Sequence, residues 1–174
     1  MARHTIIHLY PHPGDRRRGI LRVGSLSLPC ALGRSGPIVR KREGDGGTPR
    51  TELRPVAIYF RPDHWAFRSF ILPHYPISKT DGWCDDSSSP RYNRRINLPS
   101  RLSHERLWRD DRVYDIVIET NWNHRPAIAG LGSAIFIHLA RPGFQPTEGC
   151  IALDRKGMRL LLPLLNRLTR LMVH

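Results

Sequence analysis

His138 and Cys150 stand twelve positions apart (150 − 138) in the stretch G-S-A-I-F-I-H-L-A-R-P-G-F-Q-P-T-E-G-C-I-A-L, residues 132–153. The two residue types suit nucleophilic chemistry. A free thiol has a pKa of roughly 8.5 and is mostly protonated at neutral pH; a neighbouring imidazole takes the proton and stabilises the thiolate. Gly149, just before the cysteine, permits a tight turn in which the N–H groups of Gly149 and Cys150 point at one oxygen. Losing one donor of such an oxyanion hole typically costs about 2.7–4 kcal/mol of transition-state stabilisation. A second reading fits the same residues: a buried cysteine near a surface histidine, since free cysteine is commonly a core residue.

The surrounding elements must bring the pair together. Residues 134–137 form a continuous apolar run, the pattern of a buried strand, which His138 ends. A polar loop with Pro142, Gly143 and Pro146 follows. It returns through Thr147, Glu148 and Gly149 into the apolar residues 151–153. A histidine at a strand end and a cysteine behind a glycine then meet across one loop. Upstream, residues 5–10 read as a strand, and a basic turn with Gly14, Arg16-Arg17-Arg18 and Gly19 leads into residues 20–23. Leu26, Leu28 and Cys30 alternate with Ser25, Ser27 and Pro29, a half-buried strand that Pro29 puts near an edge. Short strands are predicted at residues 38–39, 56–60 and 114–119. Between residues 64 and 94 the chain makes a long excursion. Loops beyond about 12–15 residues are usually functional or disordered, and the aromatic and arginine content argues against disorder. Asp85 and Asp86 within it predict a capping or turn role. Residues 103–108 predict a capped turn with an incomplete capping box. Asp154 N-caps a helix whose apolar face carries Met158, Leu161, Leu162 and Leu165. Pro163 kinks or shortens that helix, which runs to about Asn166 before a last strand at residues 171–173.

A chain of 174 residues with 40% hydrophobic content suits a single domain spanning residues 1–174 with a real core. Fifteen prolines and fourteen glycines predict turns and short strands more than long helices. The net charge of +13 comes from 28 basic and 15 acidic side chains, and all the basic ones except Lys41, Lys79 and Lys156 are arginine. A basic surface invites anionic polymers. The densest basic run is only Arg16-Arg17-Arg18, read as a solvated turn, so nucleic acid is not the expected partner. Cys30, Cys84 and Cys150 cannot all pair, and neither C-x-x-C nor H-E-x-x-H metal spacing occurs. No apolar run approaches the ~18 residues of a transmembrane helix. Residues 5–10, interrupted by His8, are too short for the apolar core of a signal peptide.

The stretch from His138 to Cys150 resembles the catalytic motif of the L,D-transpeptidases, the YkuD-like family of peptidoglycan cross-linking enzymes. There a histidine precedes a Ser/Thr-x-Gly-Cys segment by a dozen or more positions; the matching residues are His138, Thr147, Gly149 and Cys150. Two departures stand out. The residue before the glycine, commonly histidine, is Glu148, and the arginine often found two places after the cysteine is Ala152. A second match is K-R-E-G-D-G-G-T-P, residues 41–49, a segment that in the family is mainly architectural. A third is W-C-D-D followed by Y-N-R, residues 83–86 and 92–94, which resembles a short subgroup with little beyond the catalytic core. Trp83, Tyr92 and Arg94 are therefore candidates for a substrate wall, with a loop pinned by its own aromatics as the alternative. The resemblance covers residues 32–153.

The resemblance implies a mainly β domain, an L,D-transpeptidase-type β-sandwich with few short helices and a cleft between loops. It implies that Cys150 attacks a stem-peptide carbonyl, that His138 moves the proton, and that Gly149 and Cys150 hold the oxyanion. The partners are peptidoglycan stem peptides, a donor tetrapeptide and an acceptor amine, and no metal or organic cofactor is required. Arg141, three places past the histidine, is the expected carboxylate binder in place of the missing arginine, with Arg94 second. The family's compartment is the periplasm or cell wall, although no signal peptide is read. Two other functions remain open: a cysteine L,D-carboxypeptidase or hydrolase of the same fold, and a basic, non-catalytic cell-wall or nucleic-acid binding module.

Overall fold

Residues Ile116–Thr120 are all buried, yet they serve two cores. Ile116 and Ile118 join one apolar cluster while Val117 joins another, because successive strand residues point to opposite faces. A strand buried on both sides belongs at the middle of a layered β structure, and it is there. The computed structural model describes residues 5–66 and 70–174. In chain order its strands are β1 (Ile6–His12), β2 (Asp15–Val23), β3 (Leu26–Ala31), β4 (Pro37–Ile38), β5 (Thr48–Pro49), β6 (Glu52–Leu53), β7 (Pro55–Phe60) and β8 (His74–Pro76). They continue with β9 (Asp81–Cys84), β10 (Arg94–Asn97), β11 (His104–Arg106), β12 (Ile116–Thr120), β13 (Phe136–Leu139), β14 (Ile151–Leu153) and β15 (Arg170–Val173). One α-helix, α1 (Arg155–Leu161), is continued by a 3₁₀ turn, Leu162–Leu164. The protein is mainly β, as expected.

Among the described residues ten strands form one sheet in the order β6-β15-β1-β2-β3-β14-β13-β12-β7-β8. The sheet folds over its larger core. Ile7, Leu53 and Leu171 from one end and Ile137 and Thr120 from the middle line the same small internal void. Met158 and Leu161 of α1, with Leu162 and Leu165 after it, fill that core. Asp154 caps α1, its carboxylate accepting from the Gly157 N–H at 2.6 Å. The α-helix stops earlier than expected, at Leu161, and tightens into the 3₁₀ turn around Pro163, which lacks an N–H to donate.

Several expectations are corrected. Arg16-Arg17-Arg18 and Gly19 lie within β2 rather than in a turn. The three arginines are exposed, so the strand overhangs the core there, and Asp15 ion-pairs Arg17 at 2.8 Å. Pro29 sits in an internal strand, but β14 pairs only with Cys30 and Ala31, so the missing N–H falls beyond that ladder. The long excursion is no loop. It adds β8 to the edge of the main sheet, then builds a three-stranded antiparallel sheet, β10-β9-β11. Residues 103–108, expected as a capped turn, contain β11. Phe67, Arg68 and Ser69 of the excursion lie outside the described residues. The small sheet carries Trp83 onto the face opposite the main core, where it meets Phe136 edge-on at 4.9 Å between ring centres. That face holds the cleft.

Candidate active site

Strand periodicity places His138. In β13, Ile137 and Leu139 enter the main core, so Phe136 and His138 face the small sheet. β14 lies parallel to β13 with His138 opposite Ala152, and Ile151 and Leu153 enter the main core. Ala152 and, by the same alternation, Cys150 therefore share the face of His138. The sequence puts His138 at the end of the strand; it lies one residue inside, since β13 runs to Leu139. Both side chains line one open cleft of about 670 Å³.

The turn before Cys150 is held on both sides. Thr147 forms a parallel bridge with Gly33: its N–H donates to Leu32 O at 2.9 Å and its carbonyl accepts from Arg34 N at 2.8 Å. Its hydroxyl donates to Cys150 O at 2.6 Å and accepts from Gly149 N at 3.2 Å. The G-D-G-G segment backs this turn. Gly149 has φ +133°, and a Cβ there would come within 2.8 Å of Gly47 O. At Gly33 a Cβ would lie 2.2 Å from Gly46 O and 3.0 Å from Gly149 Cα. Only glycine lets these three backbones touch. Residues 44–49 are thus architectural, as expected, and the structure adds that they are the floor of the cysteine's turn.

The thiol sits between two backbone groups. Phe136 N–H donates to Cys150 Sγ at 3.3 Å, and Sγ–H donates to Ala134 O at 3.0 Å. Ala134 adopts φ +50°, uncommon for a residue with a side chain. Asn93 holds it there: its Oδ1 accepts from Ala134 N and from Trp83 Nε1, both at 2.9 Å, while its Nδ2 donates to Trp122 O and Asn123 O. Trp83, Asn93, Ala134 and Cys150 are linked in that order by hydrogen bonds. Sequence reasoning quoted Asn93 only as part of Y-N-R; a polar residue flanked by Tyr and Arg gave no sign that it would be buried and fully paired.

His138 donates its Nδ1 proton to Leu139 O at 2.9 Å, since a carbonyl can only accept. In the neutral ring Nε2 then carries the lone pair and is the basic atom. Burial holds this imidazole's pKa down to about 4, with Arg141 and Arg109 adding to the effect. Burial also pushes the Cys150 thiol up to about 12, and the Glu105 carboxylate adds to that. The resting pair is therefore thiol and neutral imidazole, not thiolate and imidazolium. Cys30 is pushed to the same value by burial, so the pKa does not single out Cys150. Access does: Cys30 and Cys84 are buried, while Cys150 keeps a solvent-facing edge in the cleft.

A model of the L,D-transpeptidase catalytic domain, YkuD, matches residues 8–173. The chain belongs to the YkuD family. No curated protein and no solved structure gives a significant match. The family's substrate is peptidoglycan and its members are typically periplasmic or cell-wall-associated, so this is an L,D-transpeptidase-type catalytic domain. No helix among the described residues is long and apolar enough to cross a membrane.

The YkuD assignment covers the chain; the individual side chains fall out unevenly. Trp83, Arg141, Thr147 and Cys150 line the cleft with His138. Tyr92 does not; it is buried, and its hydroxyl donates to Glu43, which does line it. Arg94 lines a different cavity. The Gly149 N–H, one of the two donors expected to hold an oxyanion, donates to Thr147 Oγ1 at 3.2 Å. Arg141 pairs with Asp111 at 3.2 Å, and Asp111 is gripped by Arg109. Glu148 pairs with Arg34 at the lip. Sequence reasoning missed Glu105, Arg109 and Tyr114. Tyr114 donates to Glu105 at 2.8 Å and packs its ring edge-on to His138 at 5.2 Å. These residues come from β11 and the segment after it, where no spacing linked them to His138. Asp86 caps a turn through Ser88, as expected. Its neighbour Asp85 lines the cleft with Oδ1 buried and unpaired among the described residues.

Proposed function

We propose that the protein is a peptidoglycan L,D-transpeptidase working through a thioester on Cys150. One observation supports this above others: Cys150 and His138 share a face of adjacent strands in an open cleft, and His138 Nδ1 is committed to a carbonyl, leaving Nε2 as the base. Sγ attacks the carbonyl carbon between the L-configured centre of the diamino acid and the terminal D-alanine of a tetrapeptide stem, and its proton passes to His138 Nε2. The C–N bond breaks, the departing amine takes that proton, and a thioester remains. The amine of a second stem attacks the thioester, His138 accepts its proton, and the C–S bond breaks. The proton returns to sulfur and a cross-link has formed.

The Cys150 N–H holds the oxyanion. The Phe136 N–H stabilises sulfur as it gains charge. Thr147 positions the turn, Trp83 walls the cleft, and Arg141 takes a stem carboxylate. No organic or metal cofactor enters these steps. The protein acts where peptidoglycan is exposed, in the periplasm or cell wall. Incubation with a disaccharide-tetrapeptide, followed by mass spectrometry, tests the reading. Cross-linked dimers with released D-alanine are expected. Truncated monomers alone would mark a hydrolase. No product and no covalent adduct with a carbapenem would mark a non-catalytic binding module.

A further inference from the structure

The small sheet ends at β11, and that edge borders the catalytic cleft: His104, Glu105 and Arg106 all line it with Cys150 and His138. The hydrogen-bond ladder says which backbone groups the edge presents. In an antiparallel pair, opposite residues alternate between those that exchange hydrogen bonds and those that do not. β11 pairs with β9 so that His104 faces Cys84, Glu105 faces Trp83 and Arg106 faces Gly82. Asp85 N–H donates to Ser103 O at 3.2 Å and Leu107 N–H to Asp81 O at 3.0 Å. The bonded pairs are therefore Ser103 with Asp85, Glu105 with Trp83, and Leu107 with Asp81. His104 and Arg106 fall between them, so their N–H and C=O groups point outward from the sheet. These two residues span ~7 Å, the repeat at which an extended chain presents its own groups to a neighbour. Glu105 turns its side chain to the face of Trp83, near enough to the thiol for its charge to act on Cys150.

An open strand edge offers alternating donors and acceptors to another extended chain, a recurring mode of peptide recognition. We propose that the peptide substrate adds to the outer edge of β11 as a further strand, its main chain paired with the backbone of His104 and Arg106 and its reacting carbonyl carried towards Cys150. This rests on the peptide acyl-transfer reading of the cleft. Three features favour a short peptide as the occupant. The edge is three residues long, too short to recruit a whole sheet. Its sequence, His-Glu-Arg, is charged, which discourages pairing between copies of the chain. It also opens into the cavity that holds the thiol. The opposite edge, β10, lines the second cavity instead, through Arg94 and Arg95.

Calorimetric titration in a Cys150→Ala background separates binding from turnover. The probes are the stem tetrapeptide and analogues in which each amide in turn becomes an ester, which deletes one N–H donor and keeps the shape. At least one ester is expected to bind roughly three- to ten-fold more weakly, the effect of one neutral hydrogen bond. On the protein side, Arg106→Pro is compared with Arg106→Ala, which loses the same side chain but keeps the outward N–H. Proline is tolerated at an edge position whose N–H faces away from the ladder. Arg106→Pro should bind the tetrapeptide weaker than Arg106→Ala by a similar factor. Asn97→Pro against Asn97→Ala makes the same change on β10 and should leave affinity unaltered. Equal affinities in the Arg106 pair would overturn the proposal, as would an equal loss in the Asn97 pair or no measurable binding of the tetrapeptide. If circular dichroism shows Arg106→Pro unfolded, the ester series decides, and no weakening in any ester overturns the proposal. Edge-dependent binding without acyl-enzyme or cross-link in the protein that keeps Cys150 would refute the enzymatic reading and leave this one standing. Cross-linking without edge dependence would do the reverse.

Discussion

Gly33→Ala tests whether the glycine stack positions the cysteine. Gly33 has no left-handed φ, so alanine brings no backbone strain of its own. Its Cβ would stand 2.2 Å from Gly46 O and 3.0 Å from Gly149 Cα. An ordinary carbon–oxygen contact requires roughly 1 Å more separation, and both obstacles are backbone. The segments must part. Overpacking of this kind costs typically 1–3 kcal/mol, which a folded domain of ordinary stability survives. The catalytic cost should be larger in proportion, because Thr147 hangs from Leu32 and Arg34 on either side of Gly33 and fixes the turn that ends at Cys150. A shift of about 1 Å in a reacting group can cost on the order of a hundred-fold in rate. The acylation rate with a carbapenem, followed by intact-protein mass spectrometry, should fall by about that factor. Urea denaturation should show the smaller stability loss. Gly24→Ala serves as control: at φ +55° it strains the backbone, but nothing lies within 4 Å of the new methyl, so acylation should be untouched. A folded Gly33→Ala protein that acylates at the parent rate would refute the argument.

Four further outcomes are expected. Cys150→Ala should lose turnover and acylation while Cys30→Ala and Cys84→Ala keep both, as read by mass spectrometry; an adduct retained without Cys150 would end its assignment. Asn93→Ala removes four hydrogen bonds, two of which hold Trp83 and Ala134, so it should slow acylation and destabilise the fold by about 1–3 kcal/mol or more; an unchanged acylation rate would show that the Ala134 carbonyl needs no such support. His138 has its pKa held at about 4 in the fold against roughly 6.5 when unfolded, so between these values only the unfolded chain takes the proton. Its contribution to stability is full above about pH 6.5 and is lost as pH falls towards 4. The parent should therefore lose about 3 kcal/mol more than His138→Gln over that window in urea titrations, and parallel curves would contradict a buried neutral imidazole. Arg141→Ala should raise the KM for stem peptide roughly ten- to a hundred-fold while sparing reaction with a small thiol reagent; an unaltered KM would leave Arg141 as a surface partner of Asp111.

What could be read from sequence was local and periodic. The 134–137 run, the Gly-Cys turn and the Asp154 cap each follow from neighbouring residues, and the structure has them within one or two positions. What was misread needed long-range pairing. β9, β10 and β11 are three or four residues long, and β10 and β11 are rich in charge, so no alternation marks them; they become strands because Trp83 and Cys84 of β9 bury against different cores. Arg16-Arg17-Arg18 failed for the opposite reason. Three exposed charges looked like a turn, but β2 extends past the core, held by its backbone ladder and by Arg16 and Arg18, whose guanidiniums donate to Pro37 O and Gly143 O. The pair His138 and Cys150 was legible because a motif spans it, while the partners of Arg141 were not, because Asp111 and Arg109 arrive from another part of the chain.

The two departures at the motif have a common physical consequence. Ala152 is buried beside His138, flanked by β3 and β13, so it brings no charge to the face that carries the thiol. The cations near the imidazole come from other positions: Arg141 from the loop between His138 and Cys150 and Arg109 from the segment after β11, both tied to Asp111. Glu148, where a histidine is common, turns outward to Arg34, whose guanidinium also donates to Gly44 O. The Cys150 turn is thereby clasped at the lip by an ion pair and at the base by bare glycine backbones. Exposed ion pairs contribute little to stability, whereas the glycine contacts admit no substitute. The precision of this site therefore rests on backbone packing among Gly33, Gly46, Gly47 and Gly149.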